Sequence, residues 1–76
     1  MIGYYKVVIT AKKTGEKIAE LEVVGSTKEA MENEDFYKKR AMGNSGRDYT
    51  LEKWNIEKFT FTAELLKSLD NEVTIK

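Results

Sequence analysis

Apolar and polar residues alternate along two stretches near the start of the chain. Alternation with a period of two places every second side chain on the same face of an extended strand. The pattern therefore predicts two β-strands between Ile2 and Ser26. The alternating apolar positions are Tyr5, Val7, Ile9 and Ala11 in the first strand and Ala19, Leu21 and Val23 in the second.

The residues between these strands predict a β-hairpin. Gly15 lies where a three-residue loop closed by a G1 bulge needs a residue with positive φ. A two-residue loop over Thr14 and Gly15 would pair Ile9 and Val7 with glutamates, so the three-residue loop is favoured. With Lys12 opposite Glu16, the predicted pairs are Ile9 with Ala19, Val7 with Leu21, Tyr5 with Val23 and Lys6 with Glu22.

A helix is predicted after the hairpin. Ser26 and Glu29 have the spacing of a capping box, and Gly43 is placed to end the helix. Glu34 and Lys38 interrupt the apolar face of this helix, and the sequence from Asn33 to Asp35 could cap a second helix. A kink or break near Asn33 is therefore the alternative to one straight helix. Ala30, Tyr37 and Ala41 are expected on the buried face with Met31 and Met42 beside them, and Phe36 is expected to point away.

The second half of the chain gives a less regular pattern. An extended segment is predicted from Tyr49 to Thr62, with a bulge or bend near Glu57-Lys58, because Trp54 and Ile56 are out of phase with Phe59 and Phe61. Two further elements are predicted. The first is a short helix capped by Thr62 that contains Leu65, Leu66 and Leu69, and the second is a last strand with Val73 and Ile75. The alternative for this segment is a hairpin folded over Asp70-Asn71.

Together these elements predict an α+β fold with the order ββαβαβ. We expect a single layer of sheet, starting with the antiparallel hairpin, packed by a helix that is straight or kinked. Seventy-six residues are enough for one domain, 1–76, and not for two.

Composition narrows the possible chemistry, because the chain contains no histidine and no cysteine. These residues provide the usual proton carrier at neutral pH, the strongest nucleophile and the commonest ligands of transition metals. Ser45 lies between two glycines but lacks both the nucleophile-elbow spacing and a histidine base. Glu32, Glu34 and Asp35 lack the alternating order of a calcium loop. We therefore expect no catalytic residues, no metal, no cofactor and no enzymatic activity.

Hydropathy gives an expectation about the compartment. The sequence has no apolar run near 18 residues and no signal-like segment after Met1. We expect no membrane insertion and a cytoplasmic protein.

Charge is balanced overall but unevenly distributed. Residues 16–35 carry seven acids against two lysines, whereas 36–58 carry six basic residues against three acids. Basic and aromatic residues within 38–58 are typical of single-stranded nucleic-acid binding, for which the candidates are Lys38, Lys39, Arg40 and Arg47. This alternative is disfavoured, because RNP-type motifs are missing and the acidic segment would repel a polyanion.

The function that the sequence favours is non-catalytic protein binding. The outer face of the predicted hairpin is unusually apolar for a surface in water, and a partner that covers it would explain this composition. The partner would be another protein or a second copy of this chain. Small size, high charge and no catalytic groups are typical of regulatory or inhibitory proteins, including those of phages and mobile elements. The candidate partner-binding residues are Tyr4, Val8, Ile18 and Val24.

Overall fold

An antiparallel sheet is the frame of the structure, a computed structural model that describes residues 2–45 and 56–69. Within these residues the sheet has three strands in the order β2-β1-β3, and two helices pack on it. This confirms the predicted α+β class with helices on a single sheet layer. The elements are β1 (Gly3–Ala11), β2 (Lys17–Gly25), α1 (Lys28–Asn33), α2 (Asp35–Asn44), a 3-10 helix (Ile56–Lys58) and β3 (Phe59–Ser68).

The first two strands pair in the predicted register. Tyr5 lies opposite Val23, Val7 opposite Leu21 and Ile9 opposite Ala19, and Gly15 has a φ of +76°. These pairings place the apolar residues of both strands on one face.

The loop itself is one residue longer than predicted. The Ala11 N–H donates to the Glu16 carbonyl at 2.9 Å, and the Gly15 N–H donates to the Ala11 carbonyl at 2.7 Å. Glu16 therefore pairs with Ala11, and the predicted pairing with Lys12 is wrong. The register shifts between Ile9 and Thr10, which leaves Ile18 as the extra residue of a β-bulge.

The helical segment is broken at Glu34, so the straight helix is wrong and the alternative break is confirmed. Glu34 has extended backbone angles (φ −92°, ψ 131°) and both ends α1 and precedes α2. The N-cap of α1 is Thr27, whose hydroxyl accepts from the Ala30 N–H at 3.0 Å, so the prediction of Ser26 as the cap is wrong by one residue. Gly43 does not end α2, which continues to Asn44.

The break orients the two helices differently on the sheet. Helix α1 packs mainly against β3, whereas α2 contacts β2 and the 3-10 helix. Met31 and Met42, one from each helix, are almost completely buried and lie at the centre of the core rather than beside it. Unbranched methionine side chains adapt to the space between two helices and a sheet. The sheet contributes Tyr5, Val7, Ile9, Val23, Phe61 and Ala63 to the same core.

The predicted helix after Thr62 is wrong, because β3 continues as a strand to Ser68. β1 is the central strand, and β3 pairs with it from Ala11 opposite Phe59 to Gly3 opposite Ser68. The register shifts between Tyr4 and Tyr5, which leaves Leu66 as the extra residue of a β-bulge. The backbone hydrogen bonds of this pairing outweigh the helical preference of the leucines.

The predicted bend near Glu57-Lys58 is present as a 3-10 helix, which allows both Ile56 and Phe61 to be buried. Other predictions lie outside the described residues. They concern Arg47, Trp54, the segment from Tyr49 to Asn55, the turn at Asp70-Asn71 and the strand with Val73 and Ile75.

Candidate functional site

Two of the four predicted partner-binding residues form a surface patch. Tyr4 and Val24 are cross-strand partners on the outer face of the sheet, and they are 40% and 39% exposed. Val8 is half-buried on the same face, between Glu20 on β2 and Thr62 on β3. Ile18 packs against the hydrophobic core instead, because the bulge displaces it from the predicted alternation. The structure therefore brings together Tyr4 and Val24 but not Ile18.

A charged row separates Val8 from this patch. Lys6 lies between Tyr4 and Val8 on β1, with its ammonium 3.5 Å from Glu64 and 3.9 Å from Glu20. Lys17 donates a hydrogen bond to Glu20, and together with the charge of Lys6 it holds the pKa of Glu20 below its ordinary value. These side chains are exposed, so the ion pairs add little stability. Their consequence is that the middle of the outer face is polar.

Exposed apolar side chains concentrate instead at one end of the sheet. At this end β1 begins and both β2 and β3 finish, and the Leu69 N–H donates to the Ile2 carbonyl at 2.8 Å. The exposed fractions range from 39% for Val24 to 51% for Ile2. Leu65 and Leu66 were not predicted to belong to this cluster, because their spacing favours a helix. We call this region the apolar end, defined by Ile2, Tyr4, Val24, Leu65 and Leu66. Tyr4 and Val24 lie on its outer face, whereas Leu65 pairs with the buried Tyr5 and lies at the margin of the core face.

Arg40 connects α2 to the apolar end. Its Nη1 donates to the Val24 carbonyl at 3.1 Å, and its guanidinium lies 5.1 Å from the centre of the Phe36 ring. Phe36 is 62% exposed, as its position off the buried face of the helix predicted. Because Arg40 contacts both residues, Phe36 lies close to the apolar end.

The basic residues predicted to bind nucleic acid do not form one cluster. Lys38 lies over the Phe61 ring at 5.8 Å, beside β3, whereas Arg40 contacts β2. Lys39 is exposed, and Arg47 lies outside the described residues. Adjacent positions on a helix point in different directions, so consecutive basic residues do not share a face.

A different set of basic residues lines a groove beside β3. Two adjoining hollows, of about 440 Å³ and about 380 Å³, share Lys12 and Phe59 in their walls. Lys13 and Lys58 line the first hollow, and Lys38 lines the second. No sequence pattern predicts this grouping, because it depends on the pairing of β3 with β1. We call this site the lysine groove, defined by Lys12, Lys13, Lys38, Lys58 and Phe59.

Glu32 closes part of the β3 edge next to this groove. Its Oε2 accepts from the Ala63 N–H at 2.7 Å and from the Lys28 ammonium at 2.8 Å. Partial burial acts to raise the pKa of Glu32, but the hydrogen bonds from Lys28 and Ala63 outweigh it and keep this pKa below its ordinary value. A side chain that binds the edge backbone also protects this part of the strand from pairing with another chain.

We expect Glu32→Gln to lower the free energy of unfolding at neutral pH by about 1–2 kcal/mol, because a charge-assisted hydrogen bond is lost. A carboxylate whose pKa is lower in the folded state stabilises the fold above its unfolded pKa of about 4.3, and this contribution disappears as the pH falls through the folded value. Urea unfolding measures the free energy of unfolding of Glu32→Gln and of the native chain at neutral pH and at about pH 3. The two free energies should differ strongly only at neutral pH. Glu34→Gln is the control, since Glu34 is exposed and its side chain makes no capping hydrogen bond. Equal losses at both pH values would contradict the assigned contacts.

Several kinds of site are not found among residues 2–45 and 56–69. No three acidic side chains there are arranged to hold a metal ion, and no helix there is long and apolar enough to cross a membrane. The apolar end and the lysine groove are therefore the two candidate sites, and their chemistry must carry the functional argument, since fold alone does not imply function. When the chain is compared with known proteins, no family model, no curated protein and no solved structure gives a match.

Proposed function

We propose that this chain is a non-catalytic protein-binding module, acting in the cytoplasm, and that the apolar end is its binding surface. The observation that carries the proposal is the clustering of exposed large apolar side chains at one end of the sheet. The partner is another protein or a second copy of this chain, and the role is regulatory or inhibitory, of the kind found in phages and mobile elements.

The composition of the apolar end supports protein binding. Interfaces are enriched in aromatic side chains and have a core that is depleted in charge. Tyr4 supplies an aromatic ring with a polar tip, its cross-strand partner Val24 supplies aliphatic surface beside it, and Leu66 is exposed at the same end of the sheet. Arg40 and Phe36 at the margin are also residue types that contribute strongly to interfaces.

The geometry of the apolar end also supports this proposal. Gly3 and Gly25 lie opposite each other in the sheet, and the backbone of Gly3 is in turn paired with Ser68 of β3. Tyr4, Val24 and Leu65 are therefore held on paired strands rather than on loops. A rigid surface loses little conformational entropy when a partner binds.

The proposal is tested by adding a charge to the apolar end. Leu66→Lys and Val24→Lys should keep the stability of the native chain, because both side chains already face water, and they should abolish association. Asn44→Lys adds the same charge at the exposed end of α2 and should leave association unchanged. Thermal unfolding followed by circular dichroism measures stability, and sedimentation equilibrium measures self-association.

The results separate the two kinds of partner. Self-association that is lost in both apolar-end variants supports a second copy. If the native chain is monomeric, the native chain and each variant are used as bait for other proteins. A protein that binds the native chain and Asn44→Lys, but not Leu66→Lys or Val24→Lys, supports a partner other than a second copy of this chain. Association that survives both substitutions would contradict the proposal. Ile18, one of the four partner-binding residues predicted from sequence, provides a further comparison. Ile18→Lys should lower the stability of the fold, because Ile18 packs against the core.

A further inference from the structure

We propose that the lysine groove binds single-stranded nucleic acid, with its ammonium groups on the phosphates and the Phe59 ring against one base. Lys12 and Phe59 line both hollows of the groove, so a single ligand that follows it would meet all of its defining residues. The Lys12 N–H donates to the Lys58 carbonyl at 3.0 Å, which fixes the hairpin end beside the start of β3. The groove is therefore formed by paired backbone and not by chance proximity of side chains.

The charge of the groove favours a polyanion. Four lysines line it, and Glu32 is the one acidic residue among the described lining residues. Lys12, Lys13 and Lys38 form no ion pair with the carboxylate of any other described residue. Glu32 is already engaged by Lys28 and the Ala63 N–H, so its negative charge is largely compensated. Lysine side chains that line a groove are an arrangement that attracts and binds phosphates.

The fold answers the objection against nucleic acid for two of the seven acids, Glu20 and Glu32. Seven acids lie between Glu16 and Asp35 and would repel a polyanion if they bordered the same surface. In the structure Glu20 faces the outer side of the sheet, where it contacts Lys6 and Lys17. Glu32 is the member of this acidic group that lines the groove, and it is compensated as described.

The aromatic residue selects single strands. Phe59 packs against the edge of the core but is only half-buried and lines both hollows, whereas Phe61 is 4% exposed and lies within the core. A ring at the wall of a basic groove can stack on an unpaired base, as in other single-strand binders. In a duplex both faces of each internal base are already covered, so the ring would gain no contact. Two hollows of this size have room for a few nucleotides rather than for a helix.

The lysine groove is independent of the apolar end. It starts at Ala11 and Lys12, at the opposite end of β1 from Gly3, and a strand of this length separates the two sites by roughly 26 Å. Failure of one proposal therefore leaves the other unaffected.

The experiment is a fluorescence-anisotropy titration of the full chain against a labelled oligothymidine, at low and at physiological salt. We expect binding that weakens with salt, with a log–log slope of about 0.7 for each phosphate neutralised. The double variant Lys12→Glu/Lys13→Glu should bind about tenfold more weakly or worse, because it reverses two charges on the hairpin loop without touching the core. Lys39→Glu reverses one charge instead of two and is the control for a charge away from the groove, as Lys39 is exposed on α2 and does not line it. It should lower the affinity by much less than half of the loss in the double variant, measured on a logarithmic scale.

Three competing ligands complete the test. A duplex of the same length, polyglutamate and a single nucleoside triphosphate are titrated under the same conditions. Tighter binding of the single strand than of all three supports the proposal. The proposal is overturned if the oligonucleotide does not bind, or if Lys39→Glu and the double variant lose the same affinity. It is also overturned if any competitor binds as tightly as the single strand or more tightly. Tight binding of the duplex would indicate binding by charge alone, tight binding of polyglutamate would indicate an acidic peptide as the ligand, and tight binding of the triphosphate would indicate a nucleotide site.

Discussion

Ile9→Ala is expected to lower the free energy of unfolding by about 2–5 kcal/mol, the usual cost of removing a large aliphatic side chain from a core. Ile9 lies in the central strand and has no exposed surface. It pairs with Ala19 on one side and Phe61 on the other, so the cavity would open on the core face, bordered by residues of all three strands. A core of this size contributes only about 3–5 kcal/mol of net stability, and we therefore expect the variant to be largely unfolded at 37 °C.

The measurement is urea unfolding followed by circular dichroism, with two controls at or beside the same position. Ile9→Val keeps most of the buried volume and should cost about 0.5–1.5 kcal/mol. Val8→Ala removes a half-buried side chain from the opposite face of β1 and should cost about 1 kcal/mol. Similar losses for Ile9→Ala and Val8→Ala would show that the core does not lie on the predicted face of the sheet.

The face of β1 that packs on the core could be predicted because local pattern and long-range pairing agree there. A one-residue shift in the hairpin would turn every apolar side chain of β2 to the outer face, so the alternation leaves little choice of register. The pairs Tyr5 with Val23 and Val7 with Leu21 were therefore predictable from sequence. The bulge at Ile18 was not predictable, since it compensates for a loop that is one residue longer than the predicted one. The predicted and the observed loop both place Gly15 at positive φ, so this glycine does not distinguish them.

The path of the chain after Thr62 was not predictable from local sequence. Leu65, Leu66 and Leu69 have the spacing of a helix face, and leucine is a good helix former. The deciding factor is the unpaired side of β1, which needs hydrogen-bond partners along nine residues. That requirement is a property of the assembled sheet, and it is satisfied when β3 runs to Ser68.

The candidate sites were only partly predictable for the same reason. Tyr4 and Val24 could be placed together from the hairpin register alone. Leu65 and Leu66 joined them only because β3 is a strand, and Lys12 met Lys58 only because β3 begins beside the hairpin loop. Both sites thus depend on the pairing of the first and last described strands, which are separated by the whole helical segment.

Gly3→Ala tests that pairing directly and is expected to cost about 2–3 kcal/mol, the upper part of the range of about 1–3 kcal/mol for adding volume where none is available. A Cβ on Gly3 would lie 2.6 Å from the backbone oxygen of Lys67 and 2.7 Å from Cδ1 of Leu65. The leucine side chain can rotate away, but the oxygen belongs to the paired strand, so β3 would have to separate from β1 at the apolar end. Hydrogen exchange should then show faster exchange of backbone amides near Lys67 than in the native chain.

Gly15→Ala is the control, because it changes the same residue type for a different reason. No atom lies within 4 Å of a Cβ built on Gly15, so the substitution meets only the conformational penalty of a φ of +76°. That penalty is about 1 kcal/mol, and it should leave hydrogen exchange of β3 unchanged. Since both variants gain the same methyl group, urea unfolding separates steric from conformational cost. If Gly3→Ala loses no more stability than Gly15→Ala, then β1 and β3 do not approach as closely at this end as their pairing requires, and the arrangement of the apolar end would be wrong.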